Sequence, residues 1–398
     1  MIPGGVREVH PSSACRRVLA SPAVASAAVL LIINAAVLPA DEVLTTSGEL
    51  VKGSIKIEAG GVSVAGRPIP LRDVIVARLA QSARFSKMGQ GIVTVGGDII
   101  SGSVSDLENG KVRIASDLFG PMKVGKEEVR LVTLRATSIA SLTCFSREFE
   151  GVLLGNDDSA EGEITWMSED EIGVKTRAGI FRIPRKRARI VSFGTKGKKA
   201  AGARRLRARM VNGDLVAVSN PKLDAKAFSF TGGLGRDLRV GREMLYEIFS
   251  TGGRIVHLSD LAPTRAEHVP QFDADFPHRK DSSVSGGMLR VGDRSYPRGF
   301  GVHSKSVLEF DVGGKYSMIL TEIGVDEEVG ERGSVVFRIK VDGRVAYESE
   351  TTTGRSGPRR AQANLAGCKK LTLEVDYGPD GADAGDHADW CMPVLIRK

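Results

Sequence analysis

Asp386-His387-Ala388-Asp389-Trp390 places two carboxylates, an imidazole and an indole within five consecutive positions. An acid, a base and an aromatic ring this close could transfer protons, hold a cation through oxygens, or stack a flat ligand. Glycosidic hydrolysis would need two carboxyl groups facing each other across a cleft, on a domain large enough to enclose the bond. The chain lacks the alternating strand and helix texture of an eight-fold barrel, a nucleophile elbow, a zinc motif and a nucleotide fingerprint. Gly197-Lys198-Lys199 lacks the spaced glycines of a phosphate loop and the Ser or Thr that would follow. His303 and Asp326 could pair as acid and base, but no nucleophile or cofactor accompanies them. The chain is therefore read as not an enzyme.

The elements that must position this cluster are strands. The chain has 398 residues, room for two or three domains, with 41% apolar and 26% charged residues, as in soluble globular proteins. Its 47 glycines follow no collagen period and only 5% of residues are aromatic, which points to many tight turns and hence many short strands. At the N-terminus, Arg7, Arg16 and Arg17 precede an apolar run from Ala23 to Leu38, and Pro39-Ala40 stands before Asp41. That order predicts a signal peptide over 1–40, cleaved after Ala40, and hence a secreted, periplasmic or cell-envelope protein. The run is shorter than the roughly 20 residues a spanning helix needs, and no later segment is long and apolar enough.

Cleavage would leave Cys144, Cys368 and Cys391. Pairing Leu371–Tyr377 with the final strand would set Cys391 opposite Val375, too far from Cys368 to bridge, so no disulfide is expected. The net charge is +8, and twelve Lys or Arg with no Asp or Glu stand between Arg182 and Arg209. The run reads as a solvated strand edge or linker, with an anionic polymer as the functional alternative. Only Phe193 interleaves it, so nucleic acid is disfavoured as a partner.

Between Val43 and about Ser250 one pattern returns four times, over 43–80, 92–135, 149–195 and 209–250. Turn residues at Gly48, Gly97-Asp98, Asn156-Asp157 and Gly213-Asp214 open the copies, and alternation such as Val112/Ile114 and Phe181/Ile183 marks half-buried strands. Five short strands bent at glycines predict tandem small β-barrels of the Sm-like or SH3-like kind. The Gly-Asp pairs read as turn chemistry rather than as ligand sites.

From 252 to 398 eight further strands with no helical periodicity predict a sandwich or jelly roll, with Asp342-Gly343 as a type I′ hairpin turn. Arg298-Gly299-Phe300-Gly301-Val302-His303-Ser304, Gly324-Val325-Asp326, Gly333-Ser334-Val335-Val336-Phe337, Asp342-Gly343, Leu371–Val375 and Asp386–Trp390 follow one another in order. On these residues the region resembles the NPCBM family of carbohydrate-binding modules. The resemblance implies a galactose-binding-like β-sandwich that binds carbohydrate, of a kind often attached to glycoside hydrolases and holding calcium in some relatives. Within it Trp390, Tyr296, Phe300 and Tyr377 are candidate platforms for a sugar ring, and His303, Asp326, His387 and Asp389 candidate hydrogen-bonding partners. Trp390 could equally be a core residue opening the last strand, and His303 could brace its loop. Asp386 and Asp389 are candidate calcium ligands or caps for their own loop.

The expected protein is all-β, exported and non-catalytic: its C-terminal sandwich binds glycan, and its N-terminal repeats act as spacer or as a platform for a protein partner. The alternative is an envelope scaffold whose sandwich docks protein and binds no sugar. An RNA-binding array is set aside by the export signal.

Overall fold

The computed structural model describes residues 40–398 except 59, 82–86, 147, 195–204 and 272–274. The signal segment, Cys15 and the middle of the basic run lie outside the described residues, as do the side chains of 143 and 144. The protein is nearly all strand. Among the described residues no helix is long and apolar enough to cross a membrane.

Alternating apolar residues decide which face of each strand is buried. Ile55/Ile57, Val112/Ile114 and Phe228/Phe230 point inward while their neighbours meet solvent or the next sheet. Four times between residues 55 and 251 the chain runs through three strands, a 3-10 turn and a fourth strand. The turns are Leu71–Asp73, Lys126–Glu128, Arg185–Arg187 and Arg242–Met244. The strands after them join in pairs: Val74–Arg78 lies antiparallel to Leu245–Thr251, and Val129–Thr133 to Ala188–Phe193. Through such pairings 22 strands hydrogen-bond into one continuous array.

The Gly-Asp turns hold these segments to one another. Asp98 Oδ1 accepts the Ala217 amide at 2.8 Å, and Asp214 Oδ1 accepts the Ser101 amide at 2.8 Å, so each turn caps the strand opened by the other. Arg207 pairs with Asp98 at 3.2 Å and donates to the carbonyls of Gly96 and Gly97. The basic run thus divides. Residues 182–189 lie largely on an exposed strand and turn, whereas Arg207 and Arg209 are buried, Arg209 pairing with Glu247 at 2.8 Å.

Residues 254–397 form two facing sheets. One orders Arg279–Lys280, Gly299–Val302, Ala388–Arg397, Tyr316–Val325 and Arg359–Asn364, with Ile255–His257 paired to the far end of Ala388–Arg397. The other orders Arg265–His268, Ser306–Asp311, Lys370–Tyr377, Ser334–Val341 and Arg344–Glu348. Phe300, Phe310, Phe337, Leu373 and Trp390 fill the space between them. Asp342 and Gly343 both have positive φ, 48° and 81°, the backbone that a type I′ turn requires.

Two expectations are corrected here. Lys370–Tyr377 does not pair with the final strand, because residues 378–387 cross from one sheet to the other. The crossing sets Trp390 of one sheet edge-on to Phe337 of the other, 5.0 Å between centroids. Cys391 consequently faces Glu322 in register, and Cys368 and Cys391 are buried and unbridged. His303, expected in a loop, directly follows a strand, Gly299–Val302. A Cβ at Gly299 would come within 2.1 Å of the Trp390 carbonyl, so glycine there permits close pairing.

The outer face of the first sheet packs on the N-terminal array. Ile75, Val76 and Phe249 meet Leu289, Tyr296, Leu320, Met392 and Val394 in one apolar cluster. At its edge lies a buried charge network. Arg78 pairs with Glu42 at 2.9 Å, Glu247 at 3.2 Å and Glu322 at 3.3 Å, and Arg294 with Glu42 at 3.0 Å and Glu322 at 2.7 Å. Glu322 is held below the ordinary carboxylate range: burial pushes it up, and Arg78 and Arg294 outweigh that.

Arg78→Met should destabilise the protein by about 3–5 kcal/mol in urea unfolding, since three buried carboxylates lose their shared cation. A loss below about 1 kcal/mol would mean that the network contributes little. Burial lifts the Asp214 pKa to about 6 despite the Ser101 amide it accepts. The folded state then keeps a proton that the unfolded chain has released, so this group's stabilising effect is complete at low pH and lost as pH rises towards about 6. Asp214→Asn should match the parent in melting near pH 4 and exceed it near pH 7, by up to about 3 kcal/mol. Equal melting at both pH values would refute the raised pKa.

Candidate functional site

Strand register brings several loops to one end of the sandwich. Val302 and Val325 both lie opposite Ala388, His268 opposite Ser306, and Ser306 opposite Val375. His268, His303, the 3-10 turn Glu327–Val329 and His387 therefore emerge together, each at the end of a strand fixed by the core. Asp326 starts that turn by accepting the Glu328 amide at 2.8 Å.

Aromatic rings gather there. Phe276 stacks on His303 with centroids 4.5 Å apart and planes 12° from parallel. His268 and His387 stand 5.5 and 5.6 Å from His303, and Phe276 lies 5.8 Å from His387. His387 Nδ1 lies 2.7 Å from Glu328 Oε1, and the Ser283 hydroxyl donates to Glu328 Oε2 at 3.3 Å. His268 Nδ1 is 2.9 Å from Asp275 Oδ1, while its Nε2 is buried without a hydrogen-bonding partner. Gln271 clamps the flanking loops by donating to the Gly381 carbonyl and accepting the Asp383 amide, each at 3.1 Å.

The electrostatics set one neutral imidazole beside one ionised carboxylate. Burial, then His387 and His268, push the His303 pKa down to about 4, so its ring is uncharged near neutral pH. Glu328 is held below the usual carboxylate range, because burial is outweighed by bonds from His387 and Ser283. A half-buried phenyl ring, neutral imidazole and a fixed carboxylate form an apolar face with hydrogen-bonding groups beside it, the composition that suits a ring bearing hydroxyls.

The anticipated residues separate into two sets. His303 and His387 lie in this cluster, His387 partly exposed and His303 only 3% exposed beneath Phe276. Trp390 and Tyr296, each 1% exposed, and Phe300, buried between the sheets, are core residues and offer no surface for stacking. Tyr377 is half-buried with Lys305 Nζ 4.9 Å from its ring centre. Asp326 and Asp389 are buried and share the Arg290 amide at 3.1 and 3.2 Å. Burial and the adjacent Asp326 raise the Asp389 pKa well above its ordinary value.

Asp386 faces elsewhere. Its Oδ1 accepts the Ser334 amide at 2.8 Å, and burial lifts its pKa to about 6. Asp386 and Asp389 therefore do not form one set of ligands, because each carboxyl group is turned to a different backbone amide. Calcium takes six or more oxygens, and among the described residues no group of three His, Cys, Asp or Glu side chains is arranged to hold a metal. Sequence reasoning missed Phe276, His268 and Glu328. The available signal for Phe276 and His268 was the loop rich in Pro, Asp and His that runs to Asp281, and no local signal marked Glu328.

Residues 254–396 match the family model of the NPCBM/NEW2 domain. Over 125 residues the chain is 29% identical to a protein provisionally named endo-alpha-N-acetylgalactosaminidase from Renibacterium salmoninarum, a match covering 31% of this chain and 8% of that protein. Among solved structures, CBM51 from Clostridium perfringens GH95 in complex with methyl-galactose is 27% identical, covers 36% of this chain and 99% of its own, and has a TM-score of 0.33. The CBM51-2 and INT domains of Clostridium perfringens ZmpB are 23% identical, cover 46% of this chain and 42% of their own, and have a TM-score of 0.34. The family match begins at 254 and leaves the N-terminal array outside it. The sandwich, rather than the chain as a whole, is thus an NPCBM/NEW2 domain.

Proposed function

We propose that the sandwich binds a glycan at its loop end, with Phe276 as the apolar platform, backed by the buried ring of His303, and with His387 and Glu328 addressing hydroxyls. The observation that carries this reading is the ring cluster, in which Phe276 and the three imidazoles stand around one loop end beside the fixed carboxylate of Glu328. The match to a family of carbohydrate-binding modules supports the same ligand class. Binding without catalysis fits the chain, since the relative named as a glycosidase is matched over only 8% of its length.

The N-terminal array serves in this reading as spacer and interaction platform. The four recurrences of three strands, a 3-10 turn and a strand support small barrels of the Sm-like or SH3-like kind, set in tandem. Export is supported by the arginines and apolar run before Asp41. An envelope scaffold that docks protein instead of sugar is the reading that would replace it.

A glycan array probed with the full chain tests the site. Phe276→Ala and His387→Ala should each abolish binding while leaving the melting temperature close to the parent's. Trp390→Ala should instead lower stability by about 3–5 kcal/mol, as expected for an aromatic removed from a core. Absence of binding to every glycan, or binding that survives both loop substitutions, would reject this site.

A further inference from the structure

One strand of the N-terminal array differs from its counterparts. The strands that precede the 3-10 turns are Arg67–Pro70, Gly120–Gly125, Gly179–Pro184 and Asp237–Gly241, and among the described residues each pairs on one side only. In three of them the inward residues are buried: Ile69, Met122 with Val124, and Val240. In Gly179–Pro184, Ile180 is 60% and Phe181 52% exposed, although Phe181 lies opposite the buried Val174. Ile180 and Phe181 point to opposite faces, so the start of the strand is exposed on both, while Ile183 packs partly on the core, and among the described residues no strand covers the outer edge.

A free edge presents unpaired amides and carbonyls, and flat apolar edges are normally blunted or covered. Charge identifies what covers this one. From Ile172 to Phe193 the chain carries seven Lys or Arg and no Asp or Glu. Arg185 is committed to the carbonyls of Ser105 and Ser168, and Arg189 to Asp157. Lys175, Arg177, Lys186 and Arg187 flank the edge, and Arg182 projects from it with a side chain 71% exposed and pairs with Glu171 at 3.4 Å. A second copy would gather the basic residues flanking both edges, Lys175, Arg177, Lys186 and Arg187, into one like-charged patch, which opposes association. An extended segment alternating apolar and acidic residues would satisfy the edge, cover Ile180 and Phe181, and neutralise the cations.

We propose that Gly179–Pro184 is a docking edge that receives such an acidic, extended segment of a partner protein as an added β-strand. Pro184 has no amide hydrogen, so the added strand bonds along 179–183. This gives the interaction role of the N-terminal array a specific surface and is independent of glycan binding by the sandwich.

The test is fluorescence anisotropy of the full chain with a short peptide alternating valine and glutamate. The controls are its valine–lysine counterpart and an N-methylated form that cannot pair along a strand. The glutamate peptide should bind at least about tenfold more tightly than either control. The double substitution Ile180→Ser with Phe181→Ser should weaken it by at least about tenfold, with melting temperature and glycan-array signal unchanged. Equal binding of the lysine or N-methylated peptide, or binding that survives the double substitution, would overturn the proposal. So would a self-association, seen by sedimentation, that the double substitution abolishes, because the occupant would then be a second copy.

Discussion

The described structure depends on one buried cation. Arg78 ends the strand Val74–Arg78 and reaches Glu42 and Glu247 from its own array and Glu322 from the sandwich. An unpaired guanidinium in that position would be costly, and so would any of the three carboxylates without it. The network therefore constrains rather than simply stabilises: the two regions have few ways to sit together that leave no charge stranded. The apolar cluster around Tyr296 and Met392 supplies the buried area, and the charges fix its register.

That constraint reaches the loop end. Glu322 lies on Tyr316–Val325, which continues into Asp326 and the turn bearing Glu328. The strand beside it, Ala388–Arg397, follows His387 directly and carries Met392 and Val394 into the shared cluster. Two of the side chains beside Phe276 thus sit at the ends of strands whose other residues are locked against the N-terminal array. A site on strand ends held this way loses little conformational freedom when a ligand arrives.

Local features were legible in the sequence and long-range ones were not. The Asp342-Gly343 turn, the alternation at Val112/Ile114 and the family resemblance of the C-terminal region all follow from neighbouring residues. The partner of the final strand does not, since residues 378–387 form either a hairpin or a crossing between sheets with equal local plausibility. Of the two readings the sequence allows for Trp390, a sugar platform or a core residue opening the last strand, the structure shows the second. An aromatic beside two carboxylates reads as exposed until the facing sheet supplies Phe337. The same holds for Gly299 and Gly301, which suggest a turn but are strand positions where a Cβ would strike neighbouring backbone at 2.1 and 2.4 Å. Phe276 and His268 were hidden for the opposite reason, because nothing in their own loop says that His303 and His387 converge on it.

The strand Ala388–Arg397 is buried along nine of its ten residues, with Trp390 and Leu395 turned towards one layer and Met392, Val394 and Ile396 towards another. It is made after every element it joins. During synthesis the apolar surface around Ile75 and Phe249 and the open side of the sandwich both wait for these residues. A chain stopped before Ala388 would present two sticky faces at once, so loss of this short segment is a folding lesion recognisable to chaperones and proteases as well as a change at the loop end.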